Sequence, residues 1–172
     1  MKIKLTMLVA LVLFTSAGAF AQRFAYVDSE YILKHIPEYV TAQKQLDQLS
    51  AEWQAQVDEQ FADIEAMYQA YQQDQGNMSA DMRRRREDMI VNKEREVKDF
   101  QRQKFGFEGD LFNERNRLIG PIETRVSKAI QAIAERQNLD VILDKSTETF
   151  LYSNSKIDKS NEVIIQLGYK PE

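Results

Sequence analysis

The sequence predicts an α+β fold that is mostly helical, in which a long antiparallel helical hairpin arm projects from a small β-containing head. Two polar segments of helical periodicity span residues 38–120 and meet at Gly76-Asn77, a pair of strong helix breakers. The rest of the chain has three short strand-like runs, which are too few for a large sheet. We therefore assign residues 38–120 to the arm, with its tip near 76–79, and residues 22–37 plus 121–172 to the head.

Each arm segment carries one narrow apolar stripe. Apolar residues of the outgoing segment step by three or four, the spacing of one helical face: Leu46, Leu49, Trp53, Val57, Phe61, Ile64, Tyr68 and Tyr71. The return segment repeats the pattern at Met82, Met89, Val97, Phe100, Phe107, Leu111 and Leu118. A helix in a globular core needs an apolar face of roughly 100° or more. The narrower stripes predict a two-helix seam with water on its other sides.

The turn between the two segments is predicted from its residue types. Gly76 and Asn77 both tolerate left-handed backbone angles, which favours a tight helix–helix turn. Ser79 or Asp81 can then cap the return helix.

The charges of the two segments differ in sign. Lys44 is the only basic residue between positions 38 and 75, against eight acidic ones, whereas the return segment is mildly basic. We expect the two helices to attract each other, although each exposed ion pair contributes only about 0–1 kcal/mol. The apolar seam must supply most of the stability.

Residues 1–21 have the form of a secretory signal peptide. Lys2 and Lys4 precede an apolar run, and Ala19-Phe20-Ala21 provides a cleavage site. We expect cleavage before Gln22. An uncleaved membrane anchor is the alternative, but the run is shorter than the roughly 20 residues that span a bilayer. Cleavage would change the net charge from −4 to −6, which argues against a nucleic-acid partner, and the absence of Cys excludes disulfides.

The head begins with a predicted strand at residues 24–28, followed by a short helix at 30–36 with Ser29 as its N-cap. Pro37 suits the first turn of the arm helix, where its missing N–H is not needed. His35 is the only histidine, and we interpret it as a helix-surface residue rather than a ligand or base, since it has no converging partners in the sequence.

The return segment is predicted to be interrupted at Gly106 and Gly109 and again at Gly120-Pro121, because glycine and proline destabilise helix interiors. A more deeply buried helix then carries Ile122, Val126, Ile130 and Ile133 and ends near residue 138. The remaining predicted elements are a strand at 139–144, a third strand at 149–153, and a closing helix capped by Asp158 or Ser160 and ended by Gly168.

Two groups of residues near the arm tip are candidate binding residues. The first is the apolar set Tyr68, Tyr71, Met78 and Met82, which suits variable apolar partners if it is not seam packing. The second is the run Arg83, Arg84, Arg85 and Arg86, which can meet anionic lipid or acidic segments, or can form a solvated helix face.

The head is too small to be stable alone. A three-stranded sheet leaves two open edges and little core, a combination that favours self-association. The interface candidates are Phe24, Tyr26, Val141, Leu143, Phe150 and Tyr152.

An enzyme is not predicted. The sequence has no nucleophile paired with a base, no cluster of metal ligands and no phosphate-binding glycine loop, so we expect no cofactor. Asp140 and Asp144 flank a strand and more simply end it than perform acid–base chemistry.

Several stretches in this order resemble the Skp/OmpH family of periplasmic chaperones. They are Phe-Ala-Tyr-Val-Asp at 24–28, Ile36-Pro37-Glu38-Tyr39, Leu-Asp-Val-Ile-Leu-Asp at 139–144, and Phe150-Leu-Tyr-Ser153 with Asp158 and a final amphipathic helix. The resemblance covers the whole chain after the signal peptide. It implies a homotrimer in the periplasm of a Gram-negative bacterium, with a trimeric barrel body and three arms around a cavity.

The resemblance also implies a function. In that family the cavity holds unfolded outer-membrane β-barrel proteins without ATP or another cofactor, and lipopolysaccharide or an anionic membrane surface is a further partner. The acidic mature chain departs from the strongly basic members of the family, and Arg83–Arg86 with the return helix retain a basic surface. A coiled-coil spacer or an assembly subunit of a cell-envelope complex is the alternative function.

Overall fold

The computed structural model describes residues 23–171, so the predicted signal peptide lies outside the described residues. In chain order the elements are β1 (Phe24–Val27), α1 (Ser29–Lys34), α2 (Pro37–Asp74), a 3₁₀ turn (Gln75–Asn77), α3 (Ala80–Phe105), α4 (Asp110–Gln137), β2 (Val141–Asp144), a second 3₁₀ turn (Ser155–Ile157) and α5 (Ser160–Gln166). Helices α2 and α3 form the hairpin, and α4 leads back into the head. No helix within residues 23–171 is long and apolar enough to cross a membrane.

The sheet has two strands rather than three. Strand β1 pairs with β2 in parallel, with Phe24 opposite Val141 and Val27 opposite Asp144. The predicted third strand at 149–153 is wrong, because that segment has no regular structure. The other edge of β1 is occupied by the residues that precede α5: Asp158 forms a bridge to Tyr26, and the Lys159 N–H donates to the Tyr26 carbonyl at 2.9 Å.

One cluster of buried residues forms the core of the head. Helix α4 covers α1 and α5 through the apolar face predicted for it. The buried members are Val27, Ile32, Ile36, Ile122, Val126, Ala129, Ile133, Val163 and Ile164. The N-cap of α1 is Asp28 and not Ser29, since the Asp28 carboxylate accepts a hydrogen bond from the Tyr31 N–H at 2.9 Å.

The outgoing arm helix is a single uninterrupted element. Pro37 lies in the first turn of α2, as predicted. The 38 residues of α2 give this helix a length of about 57 Å. The chain reverses at the predicted place, but Gly76 and Asn77 do not adopt positive φ, because a 3₁₀ turn makes the reversal. Ser79 caps α3 by accepting a hydrogen bond from the Met82 N–H at 3.3 Å.

The return path is broken once. Helix α3 ends before Gly106 and α4 begins after Gly109, which confirms the first predicted interruption. A Cβ on Gly106 would lie 2.3 Å from the Arg102 carbonyl oxygen, and Glu108 adopts a φ of 55°. The interruption predicted at Gly120-Pro121 is wrong, because α4 runs through both residues. Pro121 is exposed, so water can satisfy the carbonyl that its missing N–H leaves free.

The arm seam is narrower than its predicted stripe. Val57 and Ile64 of α2 pack against Ile90 and Val97 of α3, and a separate cluster of Ala42, Leu46 and Ile119 lies at the arm base. The seam positions predicted at Phe61, Met82, Met89 and Phe107 are wrong, since all four side chains are exposed. Ile90 and Val97 are seven residues apart and therefore share one face of α3, and this face packs on α2. Met89, one residue before Ile90, points about 100° away from that face.

The expected charge pairing across the hairpin is also not observed. Within residues 23–171 no ion pair joins α2 to α3. Instead, two tyrosines of α2 donate hydrogen bonds to glutamates of α3: Tyr68 to Glu94 at 2.8 Å, and Tyr71 to Glu87. The register of the hairpin therefore comes from the seam and from these tyrosines.

Candidate functional site

The apolar residues predicted to bind at the tip differ in their exposure and in whether they already make contacts within the arm. Tyr71 is half-buried against the seam and Tyr68 is partly exposed, and the hydroxyls of both are bonded to glutamates. These hydrogen bonds to a carboxylate, with desolvation second, raise the pKa of both tyrosines above the ordinary value. Met78 is half-buried in the turn, whereas Met82 is 55% exposed. Met82 is thus the freest of the four.

The four consecutive arginines surround the start of α3, and we call them the basic collar (Arg83–Arg86). All four are exposed, and successive residues are 100° apart, so they point around the helix and not to one side. The ion pairs within residues 23–171 do not include them. The basic collar can therefore meet an anion from several directions.

An exposed aromatic pair lies within the arm, nearer its base than its tip, at the break between α3 and α4. Phe107 is 94% exposed, and its ring stacks on Phe112 with 6.4 Å between centroids and 26° between planes. The pair borders a groove of about 640 Å³, which we call the mid-arm groove. Its lining residues are Gln43, Leu46, Asp47, Ser50, Phe105, Gly106, Phe107, Glu108, Leu111, Phe112 and Arg115.

Sequence reasoning missed this groove, because it placed Phe107 in the seam and did not select Phe112. A signal was present in the sequence: Phe107 stands between the two glycines of the break, where a helical stripe cannot continue.

The geometry of the break is braced from the opposite helix. The Lys104 ammonium lies 4.8 Å from the centroid of the Trp53 ring and 2.5 Å from the Asp110 carboxylate. The Trp53 ring also packs edge-on against Phe105, with 6.2 Å between centroids. Lys104 is largely buried, so its charge is poorly solvated and both contacts gain strength. Trp53 therefore has a structural role.

The arm base is tied to the end of the chain through Glu38. Its carboxylate accepts a hydrogen bond from the Tyr169 hydroxyl at 2.8 Å and lies 3.3 Å from Arg125. The pKa of Glu38 is lowered mainly by a hydrogen bond from a backbone N–H at the start of α2, and next by the hydrogen bond from the Tyr169 hydroxyl. Burial, and then the Glu38 contact, raise the pKa of Tyr169. Glu38 thus joins α2, α4 and the residues after α5.

The outer surface of the head exposes apolar side chains. Of the predicted interface residues, Phe24, Val141, Leu143 and Tyr152 are exposed. Tyr26 is buried, and its ring lies 5.6 Å from that of the half-buried Phe150. Leu151, which was not selected from the sequence, is 99% exposed. The assignment of these residues to an interface stays a prediction.

The relationship of the chain to known proteins rests on its family match. Residues 23–167 match the family described as "Outer membrane protein (OmpH-like)". The chain belongs to the OmpH-like family. This confirms the resemblance to Skp/OmpH proteins predicted from the sequence.

The OmpH-like fold is also found among solved structures, where six chains match. One is the crystal structure of a candidate outer membrane chaperone (OmpH-like) from Caulobacter crescentus CB15. The TM-score is 0.63 with 11% sequence identity, over 87% of this chain and 86% of that chain. At this identity the likeness establishes a common fold. A search of curated proteins finds no match to this OmpH-like chain.

The single histidine of this OmpH-like chain packs inside the head and is not a surface residue as predicted. His35 is half-buried, its Nδ1 lies 2.8 Å from the Tyr31 carbonyl, and its ring lies 4.4 Å from that of Tyr31. Since a carbonyl only accepts, Nδ1 must carry the proton. Within residues 23–171 no three His, Cys, Asp or Glu side chains converge to hold a metal.

Proposed function

We propose that this protein is an ATP-independent periplasmic holdase that binds unfolded outer-membrane β-barrel proteins, its clients, in a cavity between helical arms. The observation that carries the proposal is the set of large apolar side chains exposed along an arm only two helices thick. They are Val40, Phe61, Tyr68, Met82, Met89, Val91, Phe107 and Phe112. Family membership and the described role of the Caulobacter protein support the same function.

The chemistry of the clients suits such an arm. A strand of an outer-membrane barrel alternates apolar and polar residues, so an unpaired strand in water exposes both an apolar face and an aggregation-prone edge. Exposed methionines adapt to variable apolar partners. Many weak contacts can shield a client and still release it, because no single contact is costly to break.

We further propose that three chains assemble through the head into a trimeric barrel body. An isolated two-stranded sheet is marginally stable, and the sheet exposes Phe24, Val141 and Leu143. Leu151 and Tyr152, on the irregular segment after β2, are further exposed apolar side chains of the head. Burial of these side chains against other copies would stabilise the head and fix the arms around a common cavity.

Substitution of Val141 tests the trimer without disturbing the chain itself. Val141 is exposed, so Val141→Glu leaves the core of one chain intact while it places a charge in the proposed interface. We expect a drop from trimer to monomer mass in multi-angle light scattering. Lys128→Glu, an exposed charge change on α4 away from the sheet, is the control. A Val141→Glu variant that keeps the trimer mass would refute this interface.

Localisation and further partners complete the proposal. Export by the predicted signal peptide would place the protein in the periplasm, where its clients pass in the unfolded state. Lipopolysaccharide or an anionic membrane surface is a further partner of the basic collar, whose arginines are exposed around α3.

Holdase activity is tested with a urea-unfolded outer-membrane barrel protein diluted into buffer with and without the mature protein. Light scattering follows aggregation, and chromatography with multi-angle scattering sizes the soluble product. Suppressed aggregation and a discrete complex of trimer with client are expected. Full aggregation beside an intact oligomer would refute the proposal and favour a structural spacer.

A further inference from the structure

We propose that the mid-arm groove, rather than the arm tip, is the principal docking site for the client. The part of the client that occupies the groove is an extended segment that carries an aromatic residue next to a lysine or arginine. This inference rests on the proposed holdase function and names the part of the client that the arm recognises.

The groove exists before any partner binds, because the chain is built to form it. A Cβ on Gly109 would lie 2.7 Å from the Gln103 carbonyl oxygen, and one on Gly106 would lie 2.3 Å from that of Arg102, so both positions require glycine. The brace of Trp53, Lys104 and Asp110 then holds the two helix ends. A preformed groove does not have to be ordered when a client binds.

The apolar part of the groove favours an aromatic occupant. Leu46 and Leu111 form its floor, and Phe107 and Phe112 form an aromatic wall. Because Phe107 is 94% exposed, its ring remains open to a third ring in an offset or edge-to-face contact.

The charges around the groove favour a basic neighbour to that aromatic residue. The lining residues include two acids, Asp47 and Glu108, and one base, Arg115. Arg115 is already paired with Glu123 at 2.8 Å, so the acids dominate the rim. Complementary charge on the occupant is therefore positive.

The size of the groove limits what can enter. A volume of about 640 Å³ is that of a small-molecule pocket, which admits a few side chains of an extended segment but not a second helix or a folded domain. The tip offers less, since the hydroxyls of Tyr68 and Tyr71 are already bonded within the arm.

Trp53 provides a direct readout, because it is the only tryptophan and its ring contacts Phe105 of the groove lining. The probe is a Trp-free octapeptide with two phenylalanines alternating with two lysines, titrated into the full mature protein. We expect saturable change of Trp53 fluorescence. A peptide with glutamate in place of lysine, or with alanine in place of phenylalanine, should bind more weakly.

Substitution of Phe107 separates the groove from the rest of the arm. Phe107→Ala removes almost no buried surface, so the fold is retained, and peptide affinity should fall roughly two- to tenfold. Ile165→Ala, which removes an exposed apolar side chain of α5 outside the groove, is the matched control and should leave the affinity unchanged. Equal affinity of wild type and Phe107→Ala would overturn the proposal.

Cross-linking to an unfolded barrel protein completes the test. A photoreactive residue at position 107 should capture the client more efficiently than one at position 82, and stronger capture at 82 would overturn the proposal. A Trp53 signal that changes with protein concentration without peptide, over a range in which the oligomer mass is constant, would mean that a second copy fills the groove, which also overturns the proposal. Failure of the holdase function is seen separately, since wild type would then leave the client to aggregate.

Discussion

Nine buried apolar side chains form one cluster in the head, whereas the arm divides seven between two clusters, four along the seam and three at the base. The two regions therefore hold their structure in different ways. In the head, each buried side chain is supported by several elements. In the arm, each buried side chain packs against only one opposite helix, so no other element compensates when one of these contacts is removed. Binding surfaces are often drawn from the less stable parts of proteins, and the client-binding role proposed for the arm is consistent with this difference.

The sharpest test of this difference substitutes one isoleucine in each region. Ile133 of the head is 0% exposed and Ile90 of the seam is 2% exposed, so the same chemistry is removed. Ile133→Ala should lower the free energy of unfolding by about 2–5 kcal/mol in urea denaturation. Ile90→Ala should instead reduce amide protection mainly in α2 and α3 by hydrogen exchange. Equal losses of global stability in the two variants would show that arm and head unfold as one unit.

A second test compares two glycines of the arm. Gly106→Ala forces a Cβ against the Arg102 carbonyl and should cost about 1–3 kcal/mol, with rearrangement of the break. Gly76→Ala is the control, since nothing lies within 4 Å of its Cβ position and its φ is not positive. That change should be neutral or stabilise by up to about 1 kcal/mol. Thermal unfolding of both variants decides whether the break is specified by its glycines.

The brace of the break offers a smaller effect. Lys104→Met keeps most of the side-chain length but removes the charge that contacts Trp53 and Asp110. We expect a loss of about 1–2 kcal/mol, localised near the break, and a change in the emission of Trp53. Lys93→Met is the control, because Lys93 only meets Glu96 on the same helix. If the two variants behave alike, the brace does not hold the break.

The smallest expected effect lies at the junction of arm and head. The folded-state pKa of Glu38 is lowered, so its carboxylate stabilises the fold at pH values above its unfolded-state pKa, and this stabilisation is lost as the pH falls through the folded-state value. Glu38→Gln should therefore reduce stability slightly at pH 7 and hardly at all near pH 3. Urea unfolding at both pH values measures this, with Glu30→Gln as an exposed control on α1. A larger loss at pH 3 than at pH 7 would contradict the sign.

Local residue patterns predicted the helices of the molecule well. Pro37 marked the start of α2, Ser79 the cap of α3, and the glycine pair the break, because each acts within one turn of backbone. It was harder to predict which residues of each helix face the seam. Met89 and Ile90 are neighbours and both apolar, and only the partner helix decides which of them is buried.

Features that depend on distant parts of the chain were not predictable in this way. Residues 149–153 have strand-like composition but pair with neither strand, and the free edge of β1 is taken by Asp158 and Lys159. The stacking of Phe107 on Phe112 arises because the chain turns between them, and the same residues in a continuous helix would not form a groove. Charge composition misled as well: within residues 23–171 the acids of α2 form no ion pair with the basic residues of α3, and tyrosines of α2 instead donate hydrogen bonds to glutamates of α3.

The unequal continuity of the two sides of the arm has a mechanical consequence. One side is a single 38-residue helix, and the other is cut once, at residues 106–109. A sideways load on the tip would therefore concentrate its curvature at the break, where the intact helix and the brace of Trp53, Lys104 and Asp110 resist bending in place of a second continuous helix. That helix acts as an elastic element, which yields to a bulky load and returns the tip when the load leaves. An arm built this way can change the position of its tip without any energy source.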